Sequence, residues 1–435
     1  MKCCVNSGNR IRELLLIVIS VSFIMVLLQT YLMSPAQNTP RNSRSMNSEN
    51  EPSLSVPNGT VIKAQSTKGK YETPVLLLKQ LYQVRHQLVE DVCSRRPELF
   101  MTKKSNYEMK IDLAIEEKHP VGYCAMPKLA STFWGKVLPG RKKLAHINQT
   151  DLTQGPHTLK RPFTFMFVRN PYERVLSGYV DKLFVPNTLF WGWTGQYILQ
   201  KYRANSTELS LRCGHDVTFP EFFHYLVQAE KGQQKSNAHF SPMYRHCGPC
   251  RKKYDVIGHF ETFTQDTNFI LETIMNETGL DLSVNIDKSV TERTRIQDKI
   301  RLVYGMKKKI LKCMNFQEAL ERVWKGLQIR GFLGVKVKMP LSLDESENFS
   351  ADQIVDVILE ARKKSTASDR RSNNKDALTE AFRQVPLSTL EMYLNLYGPD
   401  FELYGYEKRP EAIFDRTTVE DKTYRYFKLD HETKK

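Results

Sequence analysis

The chain has 435 residues, 40% of them hydrophobic, and a formal net charge of +16. That hydrophobic content excludes a disordered tail and allows one large core or two ordinary ones. The charge favours an anionic partner, whether nucleic acid, an acidic membrane surface, or a phosphorylated or sulfated small molecule or glycan.

Leu14–Met33 (LLLIVISVSFIMVLLQTYLM) holds no charged residue, and a helix of about 20 residues crosses about 30 Å of hydrocarbon. Lys2, Arg10 and Arg12 precede it, which predicts a cytosolic tail over 1–13, a transmembrane signal-anchor over 14–33 and a translocated remainder. A cleaved signal peptide competes with this reading, but its apolar core is shorter, and no small-x-small cleavage site is evident here. Asn58, Asn148, Asn205, Asn276 and Asn348 each open an Asn-x-Ser/Thr triplet, in keeping with a luminal body. A luminal body argues against nucleic acid as a partner and permits disulfides. Cys3 and Cys4 fall in the cytosolic tail, where palmitoylation and free thiols are equally open. Cys93, Cys124, Cys213, Cys247, Cys250 and Cys313 remain, an even set that suits disulfides without selecting a pairing.

Residues 34–75 are rich in Ser, Asn and Pro and bury too little to offset ordering entropy, so they read as a disordered stem. From Leu76, LLLKQLYQVRHQLVEDVC has the periodicity of an amphipathic helix. Val121–Met126 (VGYCAM) reads as a strand leading into the helix PKLASTFWGKVL, and Phe163–Val168 (FTFMFV) as a strand leading into RNPYERVLSGYVDKLF. At the second junction Asn170 can cap, Pro171 suits the first helical position, and Glu173 stands where a capping-box carboxylate reaches back. Strands feeding helices predict an α/β fold with a central parallel sheet. His246-Cys-Gly-Pro-Cys-Arg251 contains the dithiol spacing of a thioredoxin-like oxidoreductase, yet Tyr244-Arg-His before it and Arg251-Lys-Lys after it give little sign of the strand and helix that such a motif needs. Between about 336 and 385, Ser350-Ala-Asp-Gln353 is a capping box for a helix over ADQIVDVILEARKK, followed by the polar run STASDRRSNNKDA. This stretch reads as a surface insertion in a body spanning 76–410. An aromatic block, LYGPDFELYGY, precedes a charged tail over 411–435.

Pro127-Lys-Leu-Ala-Ser-Thr-Phe-Trp134 places a lysine and two hydroxyls in a strand-to-helix turn. Backbone N–H groups there, with the helix dipole, suit a phosphate or sulfate; Lys128 adds charge, and Ser131 and Thr132 add donors. The spacing is not that of a nucleotide-triphosphate loop. A surface lysine beside a capped helix is the plainer reading of this junction alone. Arg169 follows the second strand, and Ser177 lies about two helical turns on, so both reach one phosphate only if the ligand lies along the helix. Arg169 could instead form a structural ion pair with Glu173. Two anion sites at neighbouring strand ends suit an adenosine bearing 3′ and 5′ groups.

PKLASTFW resembles the 5′-phosphosulfate loop, and RNPYERVLSGYVDKL the 3′-phosphate motif, of the Golgi carbohydrate sulfotransferases that include the chondroitin and dermatan 4-O-, N-acetylgalactosamine 4-O- and HNK-1 enzymes. Asn237-Ala-His-Phe240 through Cys250, Tyr254–Thr262 (YDVIGHFET) and the closing YGPDFELYGY are also similar. The family usually has Cys-Thr-Asn-Trp where Ser131-Thr132-Phe133-Trp134 stands, and a Trp in place of Phe240. The resemblance implies a P-loop-like sulfotransferase fold and a donor, 3′-phosphoadenosine 5′-phosphosulfate, held by Pro127, Lys128, Leu129, Ala130, Ser131, Thr132, Phe133, Trp134, Arg169, Asn170 and Ser177. Lys128 would neutralise the leaving group and His239 would take the acceptor proton, with His259 and Glu261 as alternatives. A histidine among aromatics is more often structural. No metal is expected, since neither HExxH nor an Asp-rich cluster appears. Expected partners are an acidic or neutral glycan acceptor and a membrane crossed by one helix, with homodimerisation left open. The implied location is the Golgi membrane, type II, with the catalytic body luminal. A luminal thiol-disulfide oxidoreductase and a catalytically inactive glycan-binding member of the fold are the other readings.

Overall fold

A computed structural model describes residues 54–55, 61–62, 74–99, 111–114, 121–138, 142–143, 162–232, 237–278, 282, 288–417 and 425–429. The cytosolic tail, the signal-anchor over 14–33, most of the stem and part of the 411–435 tail lie outside the described residues, as do Cys3, Cys4, Asn58 and Asn148. Among the described residues, no helix is long and apolar enough to cross a membrane.

The first long helix, α1 (Pro74–Arg95), covers the periodic stretch read from Leu76. Tyr82, Arg85, Val89, Val92 and Cys93 are its buried positions among the described side chains, set three or four residues apart along one helix face. Strands β1 (Ile111–Ala114), β2 (Val121–Cys124), β3 (Lys142–Lys143), β4 (Phe163–Val168) and β5 (Val256–His259) form one sheet in the order β3-β1-β2-β4-β5. β2 pairs parallel with β4, and β4 parallel with β5. β1 runs antiparallel to both β2 and β3. The expected parallel sheet is thus three strands wide with an antiparallel edge, because the few residues joining β1 to β2 cannot hold a crossover helix. β4 is buried from Thr164 to Val168, as expected of a strand covered on both faces.

Helix α2 (Ser131–Val137) follows β2, and α3 (Pro171–Tyr179) follows β4 and continues as a π-helical turn over Val180–Phe184. The remaining long helices are α4 (Phe219–Lys231), α5 (Phe263–Thr278), α6 (Lys288–Gly305), α7 (Phe316–Ile329), α8 (Ala351–Lys364), α9 (Asn373–Arg383) and α10 (Leu387–Tyr404). α8 has the Ser350/Gln353 capping box read from sequence. The surface insertion expected over 336–385 is corrected by its packing: Ile354, Val355, Ile358, Ala377, Ala381 and Phe382 are all buried. Phe382 sits edge-on to Tyr172 and Phe223, and buried Asn373 donates to the carbonyls of Gln328 and Leu333. Apart from buried Ser346, Ser365 and Asn373, the polar residues of this stretch lie mainly on the outer sides of amphipathic helices whose apolar sides complete the core.

The cysteines pair Cys93–Cys250, Cys124–Cys247 and Cys213–Cys313. Neither cysteine of CGPC bonds the other. One staples to α1 and the other to the end of β2, while Cys213 and Cys313 bond each other. A working dithiol at 247 and 250 is thereby removed.

Candidate functional site

The carboxyl ends of β2, β4 and β5 open at one edge of the sheet, where α/β proteins hold ligands. The 127–130 turn, Arg169-Asn170 and Phe260–Thr262 therefore converge there. β2 and β4 are neighbours, so the two anion-binding junctions read from sequence are side by side, about 5 Å apart at the strand level.

The 127–130 turn is built tightly. Lys128 and Ala130 both adopt left-handed backbone, with φ of 70° and 61°, a conformation that non-glycine residues adopt uncommonly and that clusters at ligand sites. Tyr123 holds the turn from below by donating its hydroxyl to the Leu129 carbonyl at 2.9 Å. The side chains of Leu129 and Trp134 are fully buried in the core, so these two can offer a ligand only backbone. Ser131 is half-buried and Thr132 exposed at the start of α2.

α3 supplies the floor. Across 171–181 only Glu173, Ser177 and Asp181 are not buried, and with Arg169 they form a single i, i+4 stripe on one face. Arg169 donates through Nε and Nη2 to Glu173 and stacks over the Phe260 ring at 4.6 Å. The structural ion pair weighed above is therefore present. Its Nη1 meets no acceptor among the described residues. Asn170 caps α3 as predicted, accepting from the Tyr172 and Glu173 N–H groups. The capping box itself is corrected: Glu173 turns to Arg169, and Glu261 accepts the Asn170 N–H instead at 2.9 Å.

At the other end of the stripe Asp181 gathers Lys128 together with three cations that sequence reading missed. Lys128 lies 3.2 Å from one of its oxygens, Lys182 3.2 Å, Lys299 2.9 Å and Arg330 3.2 Å. Burial works to raise the Asp181 pKa, but Lys299, Lys128, Arg330 and Lys182 overcome it and hold the carboxyl well below its usual range. Burial pushes Lys128 down to about 7, with Asp181 resisting and Arg330, Lys299 and Lys182 adding to the fall. Four cations against one carboxylate leave a surplus that an anionic ligand would neutralise. No periodicity or motif could have grouped residues 128, 181, 182, 299 and 330.

His239 borders the same cluster. Burial lowers its pKa to about 3, with Lys182 and Lys128 contributing, so it is neutral near pH 7. Asn237 Oδ1 accepts the His239 backbone N–H at 3.0 Å and faces Nδ1 at 2.6 Å. An amide oxygen only accepts, so Nδ1 carries the hydrogen and Nε2 presents a lone pair. Buried Arg174, also missed from sequence, positions this stretch by donating to the Ser241 and Ala238 carbonyls. The alternatives are otherwise engaged: His259 is buried against Tyr406, and Glu261 accepts from Asn170 and Tyr406.

A paired-strand edge with two cationic ends, a polar helix stripe between them and a neutral histidine beside one end has the charge to hold an anionic ligand. Residues 112–312 match a family model described as "Sulfotransferase family". Over that stretch, a little under half of its length, the chain is similar to this family. It is 34% identical over 217 residues to carbohydrate sulfotransferase 11 of Mus musculus, covering 44% of this chain and 61% of that one. It is 31% identical over 215 residues to carbohydrate sulfotransferase 8 of Mus musculus, covering 45% and 51%. Carbohydrate sulfotransferase 14 of Homo sapiens is 34% identical over 178 residues, covering 37% and 46%. The match thus spans less than two thirds of the length of these relatives. No solved structure matches the chain.

Proposed function

We propose that this protein transfers a sulfuryl group from 3′-phosphoadenosine 5′-phosphosulfate to a sugar hydroxyl of a glycan. The observation that carries this reading is the α3 stripe, which joins Arg169 at one strand end to Lys128 and Asp181 at the next. A donor with phosphates at both ends of an adenosine fits such a track, its 3′-phosphate toward Arg169 and its 5′-group at the 127–132 turn. When bound, the donor supplies an activated sulfuryl group whose departure leaves charge on a phosphate oxygen. Lys128 neutralises that charge from a preorganised buried position, the setting in which electrostatic stabilisation is largest. His239 Nε2 accepts the proton of the incoming hydroxyl, its ring held by Asn237. The residues fit this donor through charge and geometry without calling on a metal ligand set.

The family resemblance of the sequence motifs and the basic surplus support a chondroitin- or dermatan-type acceptor or a chain ending in N-acetylgalactosamine or glucuronic acid. Leu14–Met33, the Asn-x-Ser/Thr triplets and the three disulfides support a type II protein of the Golgi membrane with a luminal body. The deciding assay incubates the luminal fragment with radiolabelled donor and a panel of desulfated glycans. Transfer to at least one of them is expected, and Lys128→Ala should lower it by about 10²–10³-fold. Absence of transfer to every acceptor, with Lys128→Ala matching the parent, would leave the inactive glycan-binding reading in its place.

A further inference from the structure

Of the four tryptophans in the chain, Trp134, Trp191 and Trp324 are buried, and Trp193 is 72% exposed. It lies in a segment that is α-helical over Thr188–Phe190, turns as a π-helix over Trp191–Gly195 and is α-helical again over Gln196–Tyr202. Leu189 and Tyr197, four residues before and after it, are also exposed, so three large apolar side chains form a row along one side of the segment. Single exposed apolar residues are ordinary, whereas a contiguous row of them marks a surface that a partner covers.

The segment holds this row in place. Trp191, two residues before Trp193 and so on the opposite side of the helix, donates from its buried Nε1 to the Leu183 carbonyl at 2.8 Å and stands edge-on to His215. Gly195 packs directly on backbone, since a Cβ there would collide with the Gly214 carbonyl oxygen. Asn187 caps the first turn by accepting the Phe190 N–H. The wide turn between these anchors is of a kind often found at functional sites. Next to Trp193 in the chain, a Cβ on Gly192 would meet nothing within 4 Å, so the surface there is open.

Two further observations indicate the occupant. In the first turn of the segment the Phe190 ring stands edge-on to His239 at 5.3 Å, with the Lys182 ammonium 5.0 Å over it, so the row begins beside the histidine of the candidate site. At the other end Lys201 donates to the Tyr197 hydroxyl at 3.0 Å and lies over the rings of Tyr197 and Tyr202. No acidic residue occurs from Thr188 to Tyr202. An aromatic row with a cation at each end matches a chain of acidic sugars. One face of a pyranose is a set of C–H bonds with slight positive charge, which packs on the electron-rich face of an indole and leaves the acidic groups at the edge. We propose that Leu189, Trp193 and Tyr197 are the platform for the acceptor glycan. Trp193 takes the face of the sugar next to the one whose hydroxyl meets His239, and Lys201 takes an acidic group further along the chain. This rests on the transfer reading above and deepens it by placing the acceptor.

Trp193 reports its own occupancy, because it is the one tryptophan that stands open to a solute. Full-length protein without donor is titrated with unsulfated chondroitin hexasaccharide, and iodide quenching of tryptophan fluorescence is followed at constant ionic strength. The hexasaccharide should shield the fluorescence from iodide. Trp193→Ala should remove the quenchable signal and weaken the hexasaccharide about tenfold in calorimetry, whereas Trp193→Phe keeps a ring and should restore most of the affinity. Adenosine 3′,5′-bisphosphate should bind all three proteins equally, and their thermal melts should coincide, since the side chain stands in water. Equal hexasaccharide affinity in parent and Trp193→Ala overturns the proposal, and so does failure of the parent to bind the hexasaccharide. A lowered melt or lost bisphosphate affinity in Trp193→Ala would make the residue structural and overturns it too. A shift from dimer to monomer in sedimentation, with hexasaccharide affinity unchanged, would give the row to a second copy of the chain instead. Binding through Trp193 without transfer to any glycan would sink the transfer reading alone. Transfer to unsulfated chondroitin with the same KM in parent and Trp193→Ala would sink the platform alone.

Discussion

Lys128 holds its ammonium beside Asp181 with a pKa pushed down to about 7 by burial, which places its titration near neutral pH. An anionic donor favours the charged form. Below pH 7 the lysine is already charged and binding moves no proton; above it, binding must take a proton up, so affinity falls as pH rises. The expected loss is up to about tenfold per pH unit above 7. Calorimetric titration with adenosine 3′,5′-bisphosphate in two buffers of different ionisation enthalpy measures both the slope and the uptake. Lys128→Arg stays charged and should flatten the profile, leaving the smaller share of Lys299, whose pKa is also lowered by burial. A parent profile flat from pH 6 to about 9 would show that Lys128 does not face the donor. His239 makes a second claim at this scale. With Asn237 Oδ1 facing Nδ1, Asn237→Ala frees the ring to turn and to change tautomer. It should lower kcat by about tenfold or more with donor affinity intact, whereas His239→Gln should cost about 10²–10⁴-fold in kcat. Equal loss in donor affinity would mark both residues as merely structural.

α3 is the element on which the candidate site depends, because it carries the Glu173–Ser177 stripe on one face and packs against the histidine segment on another. Gly178 is the point of contact. A Cβ there would lie 2.8 Å from Phe240 Cδ1 and 3.1 Å from the His239 carbonyl oxygen. Phe240 is fully buried and edge-on to Phe222 at 4.9 Å, and Arg174 pins the carbonyls on both sides of it, so the segment has little room to withdraw. Alanine gains about 1 kcal/mol of helix propensity over glycine, and overpacking costs about 1–3 kcal/mol. The steric term wins. Gly178→Ala should therefore lower stability in urea melts and lower kcat through displaced His239, while adenosine 3′,5′-bisphosphate binds as before. A more stable and fully active variant would show that the 238–241 segment can shift freely.

At the scale of the whole molecule, what was legible in the sequence was local. β4, the Asn170 cap, α8 with its capping box and the two strand-to-helix junctions each depend on neighbours within a few residues, and each was readable. The Asp181 cluster and the role of Arg174 depend on residues brought together from α2's turn, α3, α6 and α7, and no pattern in one sequence announces that. The 336–385 stretch misled because its polar residues are contiguous in STASDRRSNNKDA while its buried ones are spaced by helical turns. Disulfide pairing is the same kind of global fact, and it makes a contrast that can be tested. Cys124–Cys247 and Cys213–Cys313 close loops with sequence separations of 123 and 100 residues, so chain entropy assigns each about 4–5 kcal/mol of stability. Their positions differ in consequence. Cys124 ends β2, four residues before Lys128, and Cys247 closes the short helix whose first N–H groups, those of Met243 and Tyr244, bond Asp400 of α10. Cys213 and Cys313 join a short helix before α4 to the approach of α7. Replacing either pair with alanines should lower the melting temperature by a similar amount. Only the Cys124/Cys247 variant should also lose affinity for adenosine 3′,5′-bisphosphate, because only that staple anchors the strand end on which the donor turn is built. Equal loss of affinity in both variants would mean that the site follows global stability, and the Lys128 turn would then not depend on its own staple.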